Sequence, residues 1–390
     1  MTLTSTLPAP DTAAQQHSEQ LLIHIKKKIS DAGGKLTFAE YMNLCLYAPG
    51  LGYYSAGSYK LGKHGDFTTA PEISSLFSRT LACHIKDVFQ QLEQKNILEF
   101  GAGSGKMAAD ILQELEADHC LPEHYYIIEA SADLRQRQAV AIKKHIPHLF
   151  DRVEWLELIP ENFSGVILAN EVCDAMPVHC LHFNNGKVNE LHIENQGSIL
   201  QWCEGELSQP LLAVLVAEIQ SVIGNIDYTT EVNLAAEAWI ASLADNLKCG
   251  AIFVIDYGYD QKNYYHPQRD KGTLMCYYQH QGHDNPLILQ GLQDMTAHVN
   301  FTSLAQSAID NGLDVVGFQS QADFLLAGGI LELSSSDSDT DEWLMLQQAN
   351  EIKQLTLPSE MGENFKVLTL GRNLEQILPR VLLADRRYSL

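Results

Sequence analysis

The sequence predicts an α/β protein built on a Rossmann-like, mostly parallel sheet with helices on both faces. Three observations predict it. Short apolar runs alternate with stretches of helical length from "NILEFGAG" at 96–103 onward. A glycine-rich turn, "EFGAGSGK" at 99–106, joins the first run to the first helix. The run "AIFVIDYG" at 251–258 is apolar enough for a central strand buried on both faces. With 390 residues, 45% of them hydrophobic, the chain can bury a sizeable core, as one elaborated domain or as two.

Residues 1–17 are polar and rich in Pro and Ala, and read as a disordered tail. Residues 18–90 read as a helical N-terminal extension. Leu21, Leu22 and Ile25 share one helical face, and "DAGG" at 31–34 breaks it. Thr37 and Glu40 have the spacing of a capping box that opens a second helix. A Gly/Tyr-rich loop spans 49–66. The core is expected over 91–390, with strands at "NILEF", "YYIIEAS", "RVEWLE", "GVILANE" and "AIFVIDYG" and a closing strand at "FKVLTL", 365–370. An insertion at 177–250 separates the fourth strand from the fifth; Asn185-Gly186 marks a hairpin in it, and a helical stretch ends it. The acidic "SSSDSDTDE" at 334–342 reads as a solvated loop.

The formal net charge is −23. Such an excess repels a phosphate backbone, so a general nucleic-acid binder is not expected, whereas a basic peptide is a compatible partner. The longest apolar run, "LLAVLVA" at 211–217, is too short to span a bilayer, so no membrane insertion is expected. The N-terminus lacks a basic start with an adjoining apolar block. Asp11 and Glu19 precede the first basic residue, Lys26, so neither a secretory nor a mitochondrial leader is expected. The eight cysteines show no CxxC spacing and read as reduced thiols of a cytoplasmic protein.

The glycine turn separates three nucleotide readings. A P-loop needs a glycine where Phe100 stands and a hydroxyl residue where Met107 stands, so nothing would hold its metal ion. A dinucleotide fingerprint needs its third glycine where Lys106 stands. The spacing G-x-G-x-G behind an acid, Glu99, is that of S-adenosylmethionine (SAM) binding in class I methyltransferases. SAM carries no phosphate, and its cationic groups tolerate nearby carboxylates. Gly101, Gly103 and Gly105 then let the backbone approach the ligand, and Glu129 at the next strand end is placed to accept ribose hydroxyls. Trp155 is a candidate to flank adenine or to fill the core.

Ligands of open parallel sheets sit beyond the carboxyl ends of the strands. Asn170, Glu171 and Asp174 leave the fourth strand there, with Glu171 and Asp174 spaced to share one face of a helical turn. Methyl transfer needs an acceptor held in line with its lone pair free. A guanidinium is planar, always charged and a poor nucleophile, and two carboxylates gripping it would fix one nitrogen toward the methyl group. The alternative is that Asp174 caps a following helix while Glu171 only touches SAM.

Ordered blocks across about 35–370 carry a family resemblance: "GDFTTAPEIS" at 65–74, "EFGAGSG" at 99–105, "NEVCDAMPVH" at 170–179, "IDYGYD" at 255–260, "GTLMCYY" at 272–278, "DMTAHVNF" at 294–301 and "MGENFKVL" at 361–368. The chain resembles the MidA-type methyltransferases, whose mitochondrial members are complex I assembly factors. The resemblance implies a SAM-dependent protein arginine methyltransferase acting on an accessible arginine, in those relatives of a complex I subunit that becomes symmetrically dimethylated. Val172 and Cys173 stand where the family usually has aromatic residues, and Ala102 and Ser104 where it often has Pro and Arg. In the remaining blocks, Asp66 and Glu72 are candidates to close over SAM. Asp256 and Tyr257, leaving the fifth strand, and His298 are candidates for the acceptor side. No cluster has metal-ligand spacing, and direct methyl transfer needs no metal. A small-molecule methyltransferase and a SAM-binding assembly scaffold without catalysis stand as alternatives.

Overall fold

The computed structural model describes residues 7–56, 69–197, 199–335 and 342–390. Its principal sheet holds seven strands: β1 (Asn96–Phe100), β2 (His124–Ile128), β3 (Val153–Leu156), β4 (Phe163–Asn170), β5 (Leu247–Tyr259), β6 (Asp314–Ser320) and β7 (Phe365–Arg372). The order is β3-β2-β1-β4-β5-β7-β6, with the short strand Val299–Asn300 added beside the end of β5. β1 to β5 run parallel, while β7 is antiparallel to β5 and β6. This is the expected α/β class.

Alternation along each strand divides the core into two layers. Ile97 and Phe253 face one side with the helices Ser75–Phe89 and Lys106–Ala117. Leu98, Ile252 and Val254 face the other with Leu234–Asn246 and Phe301–Asp310. In register, Phe100 lies beside Ala169, and Asn170 beside Ile255. The tips of β1, β4 and β5 therefore end side by side, where successive connections leave β1 in opposite directions. Such a switch point opens a crevice.

The N-terminal extension and the insertion, read separately from sequence, share one sheet. Lys35–Thr37 pairs antiparallel with Lys187–Gln196, which also pairs with His179–Asn184 and Ile199–Gly205. Leu21, Ile25, Phe38 and Met42 pack there with Cys180 and Ile193. The hairpin at Asn185-Gly186 has left-handed φ of +49° and +77°, as its sequence requires. The capping box is present: Thr37 Oγ1 accepts from the Glu40 amide at 3.1 Å, and the Glu40 carboxylate accepts from the Thr37 amide at 2.8 Å.

Three sequence expectations need correction. The first helix runs Thr12–Asp31, so residues 12–17 are not a disordered tail. Asp11 caps it by accepting from the Ala14 amide at 2.8 Å, and its C-terminal half is anchored by buried Leu21, Ile25 and Ile29. The extension is not wholly helical, because Lys35–Thr37 finds a strand partner far along the chain. β6 was not anticipated: "DVVGFQS" alternates poorly and contains glycine, and its pairing with β7 makes it a strand. Most of the acidic stretch at 334–342 lies outside the described residues.

Candidate functional site

Two adjoining cavities open at the strand tips. The first, of about 250 Å3, is lined by Glu99, Gly101, Gly103, Glu129 and Asn170 among the residues singled out from sequence. Tyr47, Tyr54, Pro71 and Glu72 of the extension close over it, and Ser104 donates a hydrogen bond to Glu72. Gly101 and Gly103 adopt φ of +64° and +55°, a left-handed conformation that favours glycine. Gly105 does not line the cavity. It precedes the helix Lys106–Ala117 at φ +82°, and a Cβ there would lie 3.0 Å from the Ile142 side chain, so it serves close helix packing instead. Asp66 lies outside the described residues.

The carboxylates of this cavity are held from behind. Glu99 is almost fully buried and accepts the Tyr125 hydroxyl at 2.6 Å; burial pushes its carboxyl up to about 7. Glu129 accepts from the Ser131 amide at 2.9 Å and from Gln138 Nε2 at 3.0 Å, and burial raises it too. Gln138, which sequence reasoning missed, also donates to the Gly103 carbonyl at 3.1 Å and accepts from Trp155 Nε1 at 2.9 Å. Trp155 does not line the cavity; it anchors Gln138 and packs against the core. Among the described residues no Lys, Arg or His lines this cavity, while Phe100, Met107 and Ile128 supply apolar walls. Open glycine backbone, two buried carboxylates and, among the described residues, no lining cation fit SAM.

The second cavity, of about 430 Å3, is lined by Glu171, Asp174, Tyr257 and His298, and by residues not anticipated: Tyr54, Tyr259, Tyr277 and Asp294. Tyr54 and Glu171 line both cavities. Asp294 and Tyr277 stood in the blocks "DMTAHVNF" and "GTLMCYY", so a signal was present, but nothing in their spacing placed them beside β4. Tyr54 donates to Asp294 Oδ1 at 2.9 Å, and its ring lies 5.5 Å from that of Tyr47, whose hydroxyl reaches the Ala175 carbonyl at 3.0 Å.

Residues 171–178 form an irregular turn, so Glu171 and Asp174 do not share a helical face and Asp174 caps no helix there. The turn itself brings them together. Glu171 has φ of +55°, unusual for a side chain with a Cβ, and its amide is fixed to the Ile255 carbonyl at 2.9 Å. Burial, and next the Asp174 charge, push its carboxyl up to about 8, while Asn170 Nδ2, at 3.2 Å, and the Ala70 amide hold it lower than it would otherwise be. Asp174 is buried. Its Oδ2 accepts the Tyr257 hydroxyl at 2.6 Å, and its Oδ1 has no hydrogen-bond partner among the described residues. Burial pushes it up to about 6 against the lowering effect of Tyr257.

Asp256, expected on the acceptor side, lines neither cavity. It is fully buried, and its oxygens accept from the backbone amides of Cys173, Asp174 and Tyr257 at 3.0, 3.2 and 2.9 Å. It shapes the turn that presents the other two acids. His298 packs edge-on to Tyr257, ring centroids 5.2 Å apart; burial first, then Arg269 and Lys366, depress it to about 4. It is therefore neutral near pH 7. Three carboxylates and four tyrosine rings around one cavity suit a planar cation.

Comparison with known proteins agrees with a SAM-dependent methyltransferase. A family profile described as S-adenosyl-L-methionine-dependent methyltransferase matches residues 80–319. A protein from Burkholderia thailandensis, crystallised bound to S-adenosyl-homocysteine, is similar at 37% identity and a TM-score of 0.94, over 99% of this chain and 100% of that one. The mitochondrial protein arginine methyltransferase NDUFAF7 of Danio rerio is 27% identical over 383 residues, covering 90% of this chain and 87% of its own length. The Homo sapiens protein of that name is 26% identical over 409 residues, covering 95% and 86%.

Proposed function

Because the chain belongs to this family of S-adenosyl-L-methionine-dependent methyltransferases, we propose that its acceptor is an arginine in a protein substrate. One observation carries the reading: Glu171 lines both cavities, with Asp174 beside it in the second. The bound cofactor supplies the methyl group. Glu171 and Asp174 grip the guanidinium and turn one nitrogen toward the first cavity. Glu171, ionised by the guanidinium beside it, takes the proton that this nitrogen loses as its new C–N bond forms. Tyr257, Tyr259 and Tyr277 supply ring faces and edges for the planar cation and exclude water. The arginine methyltransferases at 26–27% identity support a protein acceptor, and the resemblance of the motif blocks to the MidA-type family favours a subunit of respiratory complex I.

The test is incubation with methyl-labelled SAM and extract of the source organism, followed by acid hydrolysis of the labelled protein. Methylarginine is expected. Label confined to small molecules, or absent despite cofactor binding, would overturn the reading.

A further inference from the structure

The acceptor cavity is acidic at Glu171, Asp174 and Asp294, yet cations gather behind its wall at Tyr259 and His298. The Arg269 guanidinium lies 3.9 Å from the Tyr259 ring centroid, and Lys366 Nζ lies 5.8 Å from the same point. His298 is 5.3 Å from that ring, and its Nδ1 is buried without a partner among the described residues. Asn364 and Phe365, immediately before Lys366, line the cavity themselves.

These cations lack the partners that the composition would lead one to expect. The chain has 49 acidic and 26 basic residues, but among the described residues neither Arg269 nor Lys366 forms an ion pair with a carboxylate. The acids that act on Lys366, Glu363, Asp260 and Asp323, are committed elsewhere, Asp323 to Arg386 at 2.7 Å. Asp260 accepts from the amide and side chain of Asn263 at 3.1 and 2.6 Å. Glu363 accepts two bonds from Arg386 at 2.9 and 2.8 Å. Lys366 is buried, with only the Glu363 carbonyl as acceptor among the described residues. A desolvated ammonium without a counter-ion is costly, and an incoming anion relieves that cost.

We infer that Arg269, Lys366 and His298 form a carboxylate subsite, so that the preferred substrate is a peptide with an aspartate or glutamate close in sequence to its target arginine. The guanidinium goes to Glu171 and Asp174 inside the cavity, and the neighbouring carboxylate outside it, on the far side of Tyr259, where the Arg269 guanidinium is half-exposed. This rests on the arginine reading above and adds a sequence preference to it. A purely basic segment would satisfy the acids and leave the cations unpaired.

The test uses the full chain saturated with S-adenosyl-homocysteine and acetylated, amidated seven-residue peptides with one central arginine. One pool carries a glutamate at each of the three positions on either side in turn; the control pool carries glutamine. The glutamate pool should contain a peptide that binds about five-fold more tightly than its glutamine twin. That advantage should vanish in Arg269→Gln, and also in Lys366→Gln where its melting curve shows a folded protein. The His298 imidazole resonance should titrate at higher pH when that peptide is bound, because the carboxylate offsets the two cations. Equal affinity of all twins overturns the subsite and leaves the arginine reading standing. Equal affinity for arginine and citrulline peptides overturns the arginine reading itself, and no binding by any peptide overturns both. Free arginine binding more tightly than its amide, with no preference among peptides, overturns the assignment to an acidic side chain.

Discussion

Tyr257 donates its hydroxyl to Asp174 Oδ2 at 2.6 Å, and the backbone amides of both residues point at the single carboxylate of Asp256. The side-chain bond favours ionised Asp174, against the burial that raises it to about 6. Tyr257→Phe removes the donor, so Asp174 ionises at higher pH. The lower break in the acid limb of kcat/KM, below the one set by Glu171, should move upward by about one pH unit, the size expected of one charge-assisted hydrogen bond. An unmoved acid limb would show that Asp174 does not act as an anion in turnover.

Glu171→Gln keeps the shape of the turn and removes its charge. Turnover should fall on the order of 100-fold, while affinity for S-adenosyl-homocysteine, measured by calorimetry, should stay within about three-fold of wild type. In wild type, Glu171 holds its proton until about pH 8. A guanidinium beside it lowers that value, so an arginine peptide binding at pH 7 should expel up to about one proton. Calorimetry in buffers of different ionisation enthalpy reads this release, and Glu171→Gln should abolish it.

The same raised carboxyl has a consequence for folding. Between an unfolded value near 4.5 and the folded value of about 8, the folded state binds more protons than the unfolded one. Stability from this group is therefore full at low pH and declines as pH rises through that window. Glu171→Gln lacks the decline, so its melting temperature should gain on wild type between pH 5 and 8. A constant difference between the two curves would contradict the desolvated environment.

Asp256→Asn separates shaping the turn from touching a substrate. Its carboxylate accepts from three backbone amides, and an amide side chain can turn only its carbonyl toward them. Loss of about 1–3 kcal/mol of stability is expected in chemical denaturation. Activity should fall with it, while S-adenosyl-homocysteine still binds the folded fraction.

Gln138 ties Gly103, Glu129 and Trp155 together from a fully buried position. Gln138→Leu should weaken S-adenosyl-homocysteine binding about ten-fold, the cost of releasing hydrogen bonds to a buried carboxylate. Wild type should prefer the ribose compound to its 2′-deoxy analogue, and the variant should lose most of that preference. A variant that weakens both compounds equally would place the effect outside the ribose contact.

The legible parts of the site were those made by neighbours in sequence. Glu99 and the loop glycines needed only the strand-to-helix turn that contains them, and Glu129 only the end of the next strand. Asp256 was legible as a residue of that region but not as a clamp, because its three partners include two amides more than 80 positions away in the chain. Gly105 looked like its neighbours in the loop, yet its constraint comes from Ile142 on another helix. Gln138 gave no signal, since a buried amide in a helix shows its purpose only through what it touches.

Periodicity, the glycine spacing and the order of motif blocks were enough to determine the α/β class, the cofactor and the chemical kind of the enzyme, because each depends on local backbone preference or short-range spacing. The acceptor side was decided by tertiary structure. Tyr54, Glu171, Tyr259 and Asp294 come together only when an N-terminal loop, two strand ends and the distant short strand Asp294–Thr296 converge. Burial at that convergence, which no local pattern encodes, sets the proton affinities of Glu171 and Asp174 and leaves His298 uncharged.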